Sequence, residues 1–113
     1  MRTIIAGSRD ITDYDIVEQA VENSGITPSL IISGTARGVD QLGEAYAIRH
    51  NIELHRFPAH WESYGKAAGF LRNKEMALQA DCLIAVWDGE SKGTQHMIDT
   101  AKYYNLQVYI EKV

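Results

Sequence analysis

Three times in this chain, a short apolar run leads into a glycine-bearing segment and then into a run with helical spacing. The three segments are Gly7-Ser8-Arg9-Asp10, residues 33–40 and residues 88–94. Glycine lets a backbone approach a ligand closely, and the helix that follows directs its free N–H groups back at the loop. Because the loops after parallel strands lie at one edge of a sheet, the three segments predict one shared cleft for a phosphate-bearing ligand.

The order of the apolar runs predicts the fold. Five strands are expected at 3–6, 30–33, 53–57, 82–87 and 107–110, and helices at 12–23, 38–50, 67–80 and from 93 onward. A capping box over 12–15 starts the first helix, and 58–66 is expected to be a long irregular loop. The alternation predicts a three-layer α/β fold with a mostly parallel five-stranded sheet of order 3-2-1-4-5, in a single domain over 1–113. The crevice where the order reverses then lies between strands one and four.

The balance of charge bears on the partners. The net charge of −4 disfavours a general nucleic-acid binder. The cations are nevertheless concentrated, since six of the eleven lie in or one turn beyond the segments expected at the carboxyl edge: Arg9, Arg37, Lys66, Arg72, Lys74 and Lys92. No stretch resembles a signal peptide or membrane span, so the cytoplasm is the expected compartment, and no metal-ligand spacing or cofactor motif is present.

The first glycine segment supplies three candidate ligand-binding residues. Gly7 and Ser8 would form a cradle of backbone and hydroxyl groups, with Arg9 near a phosphate. The alternative is a plain turn with a solvated arginine. The dinucleotide fingerprint G-x-G-x-x-G and the P-loop Gly-Lys-Ser/Thr are both absent.

The second segment carries the strongest signal. Ser33 ends the second strand, Gly34 and Gly38 bracket a helix start, and Arg37 sits where an anion would dock. Asp40 lies in the first helical turn. It either complements the helix dipole or accepts hydrogen bonds from ribose hydroxyls, and the sequence leaves both readings open.

Candidates also come from the second half of the chain. Asp88 ends the fourth strand, where a carboxylate can reach the cleft, and Gly93 with Thr94 opens the last helix as a ligand contact or a simple cap. Arg72 lies early in a helix, where a cation is unfavourable and hints at a compensating anion, although an exposed basic face explains it equally well. In the irregular loop, Trp61 and Tyr64 would stack on a base or sugar, or anchor the loop.

These segments carry a family resemblance. Gly7-Ser8-Arg9, Ser33 to Asp40, Gly69 to Met76 and Gly93-Thr94 resemble the SLOG superfamily, in its YspA-type, YpsA-related branch from bacteria and phages. The resemblance covers nearly the whole chain. It implies a Rossmann-like fold and a nucleotide or nucleotide-derived ligand. The residues it implies for the cleft are Gly34, Arg37, Gly38, Asp40, Gly93 and Thr94.

Two better-understood relatives imply rival activities. The LOG enzymes hydrolyse the glycosidic bond of nucleoside monophosphates with the motif Pro-Gly-Gly-x-Gly-Thr-x-x-Glu; here Gly93-Thr94 match, but Met97 stands where the catalytic Glu would be. Arg72 resembles the LOG arginine that helps catalysis, and Asp88 is the one obvious substitute carboxylate. The DNA-processing protein A family shares Ser-Gly-x-Ala-x-Gly-x-Asp and binds single-stranded DNA, against which the acidic balance argues.

The expected function is therefore the binding of a nucleotide or nucleotide-derived phosphate ligand, in a sensor or sequestering role. Nucleoside-monophosphate N-glycosidic hydrolysis is the alternative, and single-stranded DNA binding comes third. Enzymatic activity is left open because the LOG-like Glu is absent. Formation of a homo-oligomer is also left open. No membrane partner, cofactor or metal is predicted.

Overall fold

The computed structural model describes all residues, 1–113. The strands are β1 (Arg2–Gly7), β2 (Leu30–Ser33), β3 (Glu53–Arg56), β4 (Cys82–Trp87) and β5 (Gln107–Lys112). The helices are α1 (Tyr14–Ser24), α2 (Val39–Arg49), α3 (Trp61–Tyr64), α4 (Ala68–Gln79) and α5 (Lys92–Tyr103), with a 3₁₀ turn over Gly65–Ala67.

The five strands form one parallel sheet of order 3-2-1-4-5, which confirms the predicted topology. The centre of the sheet is β1, where Thr3 pairs with Ile31 of β2 on one side and with Cys82 of β4 on the other. Strands covered on both faces read as continuous apolar runs, as β1 and β4 do. The order reverses between these two strands, so the expected crevice lies at their carboxyl ends.

Successive side chains of β1 point to opposite faces of the sheet and pack into two apolar layers. Ile5 packs with α1 and α2 through residues such as Val17 and Val39, whereas Ile4 packs with α4 and α5 through Met76 and Met97. The sheet therefore has helices on both faces, as predicted.

The glycine within α2 lies against the sheet. A Cβ on Gly43 would come within 2.8 Å of the Ile5 Cβ atom, so a side chain there would force the helix away from β1. Substitutions that overfill a packed core typically cost about 1–3 kcal/mol. The close approach explains why the helix keeps a residue of poor helical propensity at this position.

The predicted start of the first helix is wrong by one residue. Asp13, not Thr12, is the N-cap, and its Oδ1 accepts a hydrogen bond of 3.0 Å from the Asp15 backbone N–H. Both residue types cap well, and the sequence alone does not rank two adjacent caps. The helix ends at Ser24, one residue beyond the predicted end, where Gly25 closes it with a left-handed φ of 70°.

The segment 58–66 is more regular than predicted. Instead of a continuous irregular loop it contains α3 and the start of the 3₁₀ turn, separated by a change of direction at Gly65, whose φ is 54°. Trp61 and Tyr64 both remain more than half exposed. Burial of these two rings therefore does not anchor the segment.

The longest helices, α4 and α5, have 12 residues each, and none in the structure combines the length and apolarity needed to cross a bilayer.

Candidate functional site

A cavity of about 160 Å³ lies at the carboxyl edge of the sheet, beside the ends of β1 and β4. Each of the three glycine segments lines it, through residues such as Gly7, Asp40 and Gly93, and α4 closes it from the side with Arg72. The crevice inferred from the strand order thus contains a real cavity, formed by all three loops together.

A second cavity of about 430 Å³ adjoins the first on the side of β2. The two share Arg9, Ala36, Trp61 and Arg72 in their walls. Eight of the twelve predicted site residues line one or both cavities: Gly7, Arg9, Gly34, Arg37, Asp40, Arg72, Gly93 and Thr94. Ser8, Ser33, Gly38 and Asp88 line neither of them.

Ser8 joins the three loops instead of facing the cavity. It is 1% exposed; its N–H donates to the Val86 carbonyl at 3.1 Å, and its carbonyl accepts from the Val39 N–H at 3.3 Å. Its Oγ accepts a hydrogen bond of 3.1 Å from the Asp88 N–H. The hydroxyl predicted to cradle a ligand therefore bonds the loop after β4, while the Ser8 backbone ties β1 to β4 and α2.

Gly38 allows the start of α2 to touch the loop after β1. Its φ is 78°, and a Cβ there would lie 2.5 Å from the carbonyl oxygens of both Ser8 and Arg9. Only glycine tolerates this combination of positive φ and close backbone contact. The same contact directs the Val39 N–H to the Ser8 carbonyl, so this N–H group is not available to a ligand.

Asp88 stabilises its own loop. Its carboxylate Oδ1 accepts hydrogen bonds of 2.8 Å from the backbone N–H groups of Glu90 and Ser91. These bonds lower the pKa of the Asp88 carboxyl, whose side chain points along the loop and not into the cavity. Ser91 in turn caps α5 through a hydrogen bond from the Thr94 N–H to its Oγ.

The carboxylate that does line the cavity is Asp40, which is only 5% exposed. Its Oδ2 accepts a hydrogen bond of 3.1 Å from the Ala36 N–H. Burial raises the pKa of Asp40 to about 6, while the Ala36 N–H and the charge of Arg72 act in the opposite direction. Asp40 does lie in the first turn of α2, as the dipole interpretation requires, and its hydrogen bond ties the loop before α2 to the helix; hydrogen bonding to a ribose stays a prediction.

Arg72 crosses from α4 to the loop after β2. Its guanidinium donates through Nη1 to the Gly34 carbonyl and through Nε to the Asn73 Oδ1 at 3.0 Å. Burial lowers the pKa of Arg72, and Asp40 opposes that shift, although the two side chains do not form a direct ion pair. Arg72 is therefore fixed in place, and its positive charge is not neutralised by an ion pair, so it can attract an anion.

Gly34 makes room for this arrangement. A Cβ on Gly34 would lie 2.8 Å from the Asp40 Oδ2 and 2.9 Å from the Arg72 Nη1. Any larger residue would displace one of these two charged groups. The next residue, Thr35, has a φ of 66°, which is unusual for a β-branched side chain and is held by a hydrogen bond of 3.0 Å from its N–H to the Ser33 Oγ.

Sequence reasoning missed Asn73. It is 6% exposed, receives Arg72 on its Oδ1 and donates from Nδ2 to the His96 Nδ1 at 3.0 Å. His96 is half-buried against the Phe70 ring, and burial lowers its pKa. Asn73 thus orients Arg72 and joins α4 to α5. Predicting this role would have required knowledge of the contact between the two helices.

The charges around the first cavity are mostly positive. Arg9, Lys66 and Arg72 line it, against the single carboxylate of Asp40. Arg37 lines the second cavity, where its side chain is 72% exposed and lies 3.8 Å from the Asp10 carboxylate. No cluster of three or more His, Cys, Asp or Glu side chains is placed to hold a metal ion.

Apolar groups complete the walls. Met97, which occupies the position of the LOG glutamate, is 2% exposed and forms part of the cavity floor with Met76. Trp61 and Phe70, each more than half exposed, stand at its edge. Tyr64 lines neither cavity.

Comparison with known proteins agrees with this architecture. Residues 1–64 match the family described as YAcAr: YspA, cpYpsA-related SLOG family. The chain is also similar to the Gene 61 protein of Mycobacterium phage D29, with 36% identity over 121 aligned residues that cover 95% of this chain and 93% of the phage protein. The match to the family model spans more than half of the chain, including the first two glycine segments. The chain therefore belongs to the YspA, cpYpsA-related SLOG family.

Proposed function

We propose that this protein, acting as one domain over 1–113, binds a nucleotide or nucleotide-derived phosphate ligand at the carboxyl edge of its sheet, as a sensor or sequestering protein. One observation carries the proposal: Arg9, Lys66 and Arg72 converge on a single cavity at the crevice between β1 and β4. Membership of the SLOG family fits a nucleotide-related ligand.

Arg72 is the best-placed phosphate contact. Its hydrogen bonds to Gly34 and Asn73 already hold the guanidinium, so a ligand would not bear the cost of ordering it. A charge-assisted hydrogen bond contributes roughly 1.5–3 kcal/mol. Gly93 lines the same cavity from the first turn of α5, with nothing within 4 Å of where its Cβ would be, which leaves the backbone accessible to an anion.

The remainder of the ligand would occupy the second cavity and the aromatic edge. A cavity of about 160 Å³ is small for a nucleotide, but the adjoining one adds about 430 Å³. Small-molecule sites typically measure about 300–1,000 Å³. Trp61 lines both cavities, and stacking of a base on an aromatic ring contributes about 1–3 kcal/mol.

A thermal-shift panel of mono-, di- and cyclic nucleotides, ADP-ribose and dinucleotides tests the proposal. At about a hundredfold excess over the dissociation constant, binding stabilises the folded state by about 2.7 kcal/mol. At least one compound should raise the melting temperature of the native protein. A flat response to the whole panel would contradict the proposal.

Two matched variants locate the binding. Arg72→Gln should abolish most of the shift, whereas Lys74→Gln should retain it, because Lys74 also lies on α4 but lines neither cavity. Equal losses in both variants would indicate a general effect of positive charge on α4.

Hydrolysis of nucleoside monophosphates is the second candidate, and one observation favours it: the cavity does contain a carboxylate, that of Asp40 and not that of Asp88. An oxocarbenium-like transition state needs such a partner. Against it, Met97 replaces the LOG glutamate, and a positioned acid–base group typically contributes about 10²–10⁴-fold.

Incubation with AMP and chromatography for free adenine separates the two candidates. We expect no efficient release. Rapid release that disappears in Asp40→Asn but persists in Asp88→Asn would establish hydrolysis with Asp40 as the carboxylate. Release that survives both substitutions would place the active site elsewhere.

A further inference from the structure

We infer that Asp40 makes anion binding proton-linked: the cavity accepts a dianion most tightly when the Asp40 carboxyl is protonated, so binding takes up a proton. The inference rests on the proposed function, since it concerns the same cavity. The inference goes beyond the proposed function because it makes Asp40 the residue through which pH controls the affinity for the anion.

The position of Asp40 is the first observation. The residue is 5% exposed and lines the same cavity as Arg9, Lys66 and Arg72. Its Oδ2 is occupied by the Ala36 N–H, while its Oδ1 accepts no hydrogen bond of normal geometry. Every fully buried side-chain oxygen or nitrogen in the protein has a partner, so Oδ1 is not fully buried, and Asp40 lines the cavity.

The surrounding charges are the second observation. The charge of Arg72 acts on Asp40 from α4, and Arg9 in the loop after β1 and Lys66 in the 3₁₀ turn line the same cavity. Glu44, one turn further along α2, adds a negative charge nearby and is itself bonded to Ser33 and Arg56. Burial is the main cause that raises the pKa of Asp40 to about 6, and Glu44 raises it further against the opposing effects of the Ala36 N–H, Arg72 and the Gly7 N–H.

A bound dianion would act on this carboxyl as a like charge. Like charges in a shared site disfavour ionisation, so the pKa of Asp40 would be higher in the complex than in the free protein. Between the two pKa values each binding event takes up a proton, and affinity falls by about tenfold for each unit that pH rises. Below the pKa of the free protein, Asp40 is already neutral and the dependence disappears.

Loss of positive charge from a histidine would also weaken anion binding as pH rises. His96 bonds to Asn73 behind Arg72, and His60 precedes α3, although neither lines either cavity. A variant that removes only the Asp40 titration separates the two causes. Asp40→Asn does so while keeping the shape and an oxygen that can accept from the Ala36 N–H.

Isothermal titration calorimetry with sulfate tests the inference, because sulfate stays a dianion between about pH 5.5 and 8, whereas a phosphate monoester titrates near pH 6. Paired buffers with different ionisation enthalpies count the protons taken up. For the native protein we expect an uptake that approaches one proton at pH 7 and a dissociation constant that rises by about tenfold per pH unit. Asp40→Asn should take up no proton and bind sulfate with an affinity that does not change with pH. Asp10→Asn, an exposed carboxylate at the same edge, should behave as the native protein.

Equal pH slopes in the native protein and Asp40→Asn would overturn the inference and assign the effect to the histidines. Absence of sulfate binding at every pH would also overturn it, while nucleotide binding is judged separately by the thermal-shift panel. Should Asp40→Asn fail to fold, ¹³C NMR titration of the Asp40 carboxyl in the native protein decides the question. Its pKa should rise when sulfate is added, and an unchanged pKa would contradict the inference.

Discussion

The loops after β2 and β4 look alike in sequence but differ in how they use their glycines. In the first, Gly34 and Gly38 are in contact with Arg72, Asp40 and the carbonyls of the first glycine segment. In the second, Gly93 has open space where its side chain would be. A glycine pattern therefore has two meanings here: the loop after β2 needs its glycines to assemble the fold, whereas the loop after β4 leaves its backbone accessible.

The difference extends to the polar groups. The loop after β2 satisfies its Ala36 N–H with the carboxylate of Asp40. The loop after β4 satisfies two N–H groups with the carboxylate of Asp88 and a third with the Ser91 hydroxyl, and Asp88 does not line the cavity. The protein thus supplies a negative charge of its own at one side of the cavity and none at the other. Substitutions of the glycines in the two loops should accordingly affect different properties, stability in the first loop and affinity in the second.

The largest effect is expected for Gly38→Ala. A β-carbon would meet two backbone oxygens at 2.5 Å and impose a residue with a side chain on a φ of 78°. Strain of this kind and overpacking together should lower the free energy of unfolding by about 3–5 kcal/mol, measured by urea denaturation.

Gly65→Ala is the matched control for backbone strain. Gly65 has a ψ of −131°, the same as Gly38, and a positive φ of 54°, but nothing lies within 4 Å of its Cβ position. It should lose only about 1–2 kcal/mol. Equal losses in the two variants would show that contact with the first glycine segment is unimportant and that the loop after β2 is not closed by packing.

The second prediction concerns Asp40→Asn without ligand. The folded pKa of about 6 lies above the ordinary value of 3.8, so the folded state binds this proton more tightly than the unfolded state. The stability that it contributes is complete below about pH 4 and lost as pH rises through about 6. Asp40→Asn should therefore be more stable than the native protein at pH 8, by about 2–3 kcal/mol, and of similar stability at pH 4. Denaturation curves at the two pH values measure this, and an advantage that does not depend on pH would contradict it.

The third prediction compares two arginines of the site. Arg72→Ala should weaken binding of whichever nucleotide stabilises the protein by about ten- to a hundredfold, because Arg72 is half-buried and held by two hydrogen bonds. Arg37→Ala should weaken binding by about three- to tenfold and leave the melting temperature unchanged, since its side chain is 72% exposed and its ion pair with Asp10 adds little. If Arg37→Ala unfolds the protein, Arg37 is a structural residue and not an exposed ligand contact. If Arg37→Ala is the more damaging of the two for binding, Arg72 is not the main phosphate contact.

Among the glycine substitutions, the smallest effect on stability is expected for Gly93→Ala. Alanine meets no neighbour there and favours the first turn of α5, so the free energy of unfolding should change by less than about 1 kcal/mol, in the stabilising direction. Nucleotide affinity should nevertheless fall by about tenfold, because the added methyl group covers backbone facing the cavity. Unchanged affinity would show that the loop after β4 is not a ligand contact.

The fold was largely predictable from local patterns. The strands at 30–33 and 82–87 have the predicted bounds, because apolar runs buried on both faces end sharply at polar or glycine residues. The strand order followed from the alternation of elements. Helix α3 was not predicted, since four residues with neither of their aromatic rings buried leave no periodic signal.

For the candidate site, sequence predicted which segments meet but not what each side chain does. The hydrogen bond between Ser8 and Asp88 joins residues 80 positions apart, and that between Arg72 and Gly34 joins residues 38 apart. Such pairs depend on the three-dimensional arrangement and have no local pattern. The cavity-lining role of Asp40 could be suspected from its place at a helix start, whereas that of Asn73 could not.

Binding of a nucleotide in the cavity beside β1 and β4 is tested most directly by ¹H–¹⁵N NMR titration with the compound that gives the largest thermal shift. The amide signals of Gly7, Arg9, Gly93 and Thr94 should move in a saturable manner, while those around the cavity of about 520 Å³ near Glu22, Gly25 and His50 stay fixed. Saturable shifts confined to the residues near Glu22, Gly25 and His50, or no saturable shift anywhere, would contradict binding in the cavity beside β1 and β4.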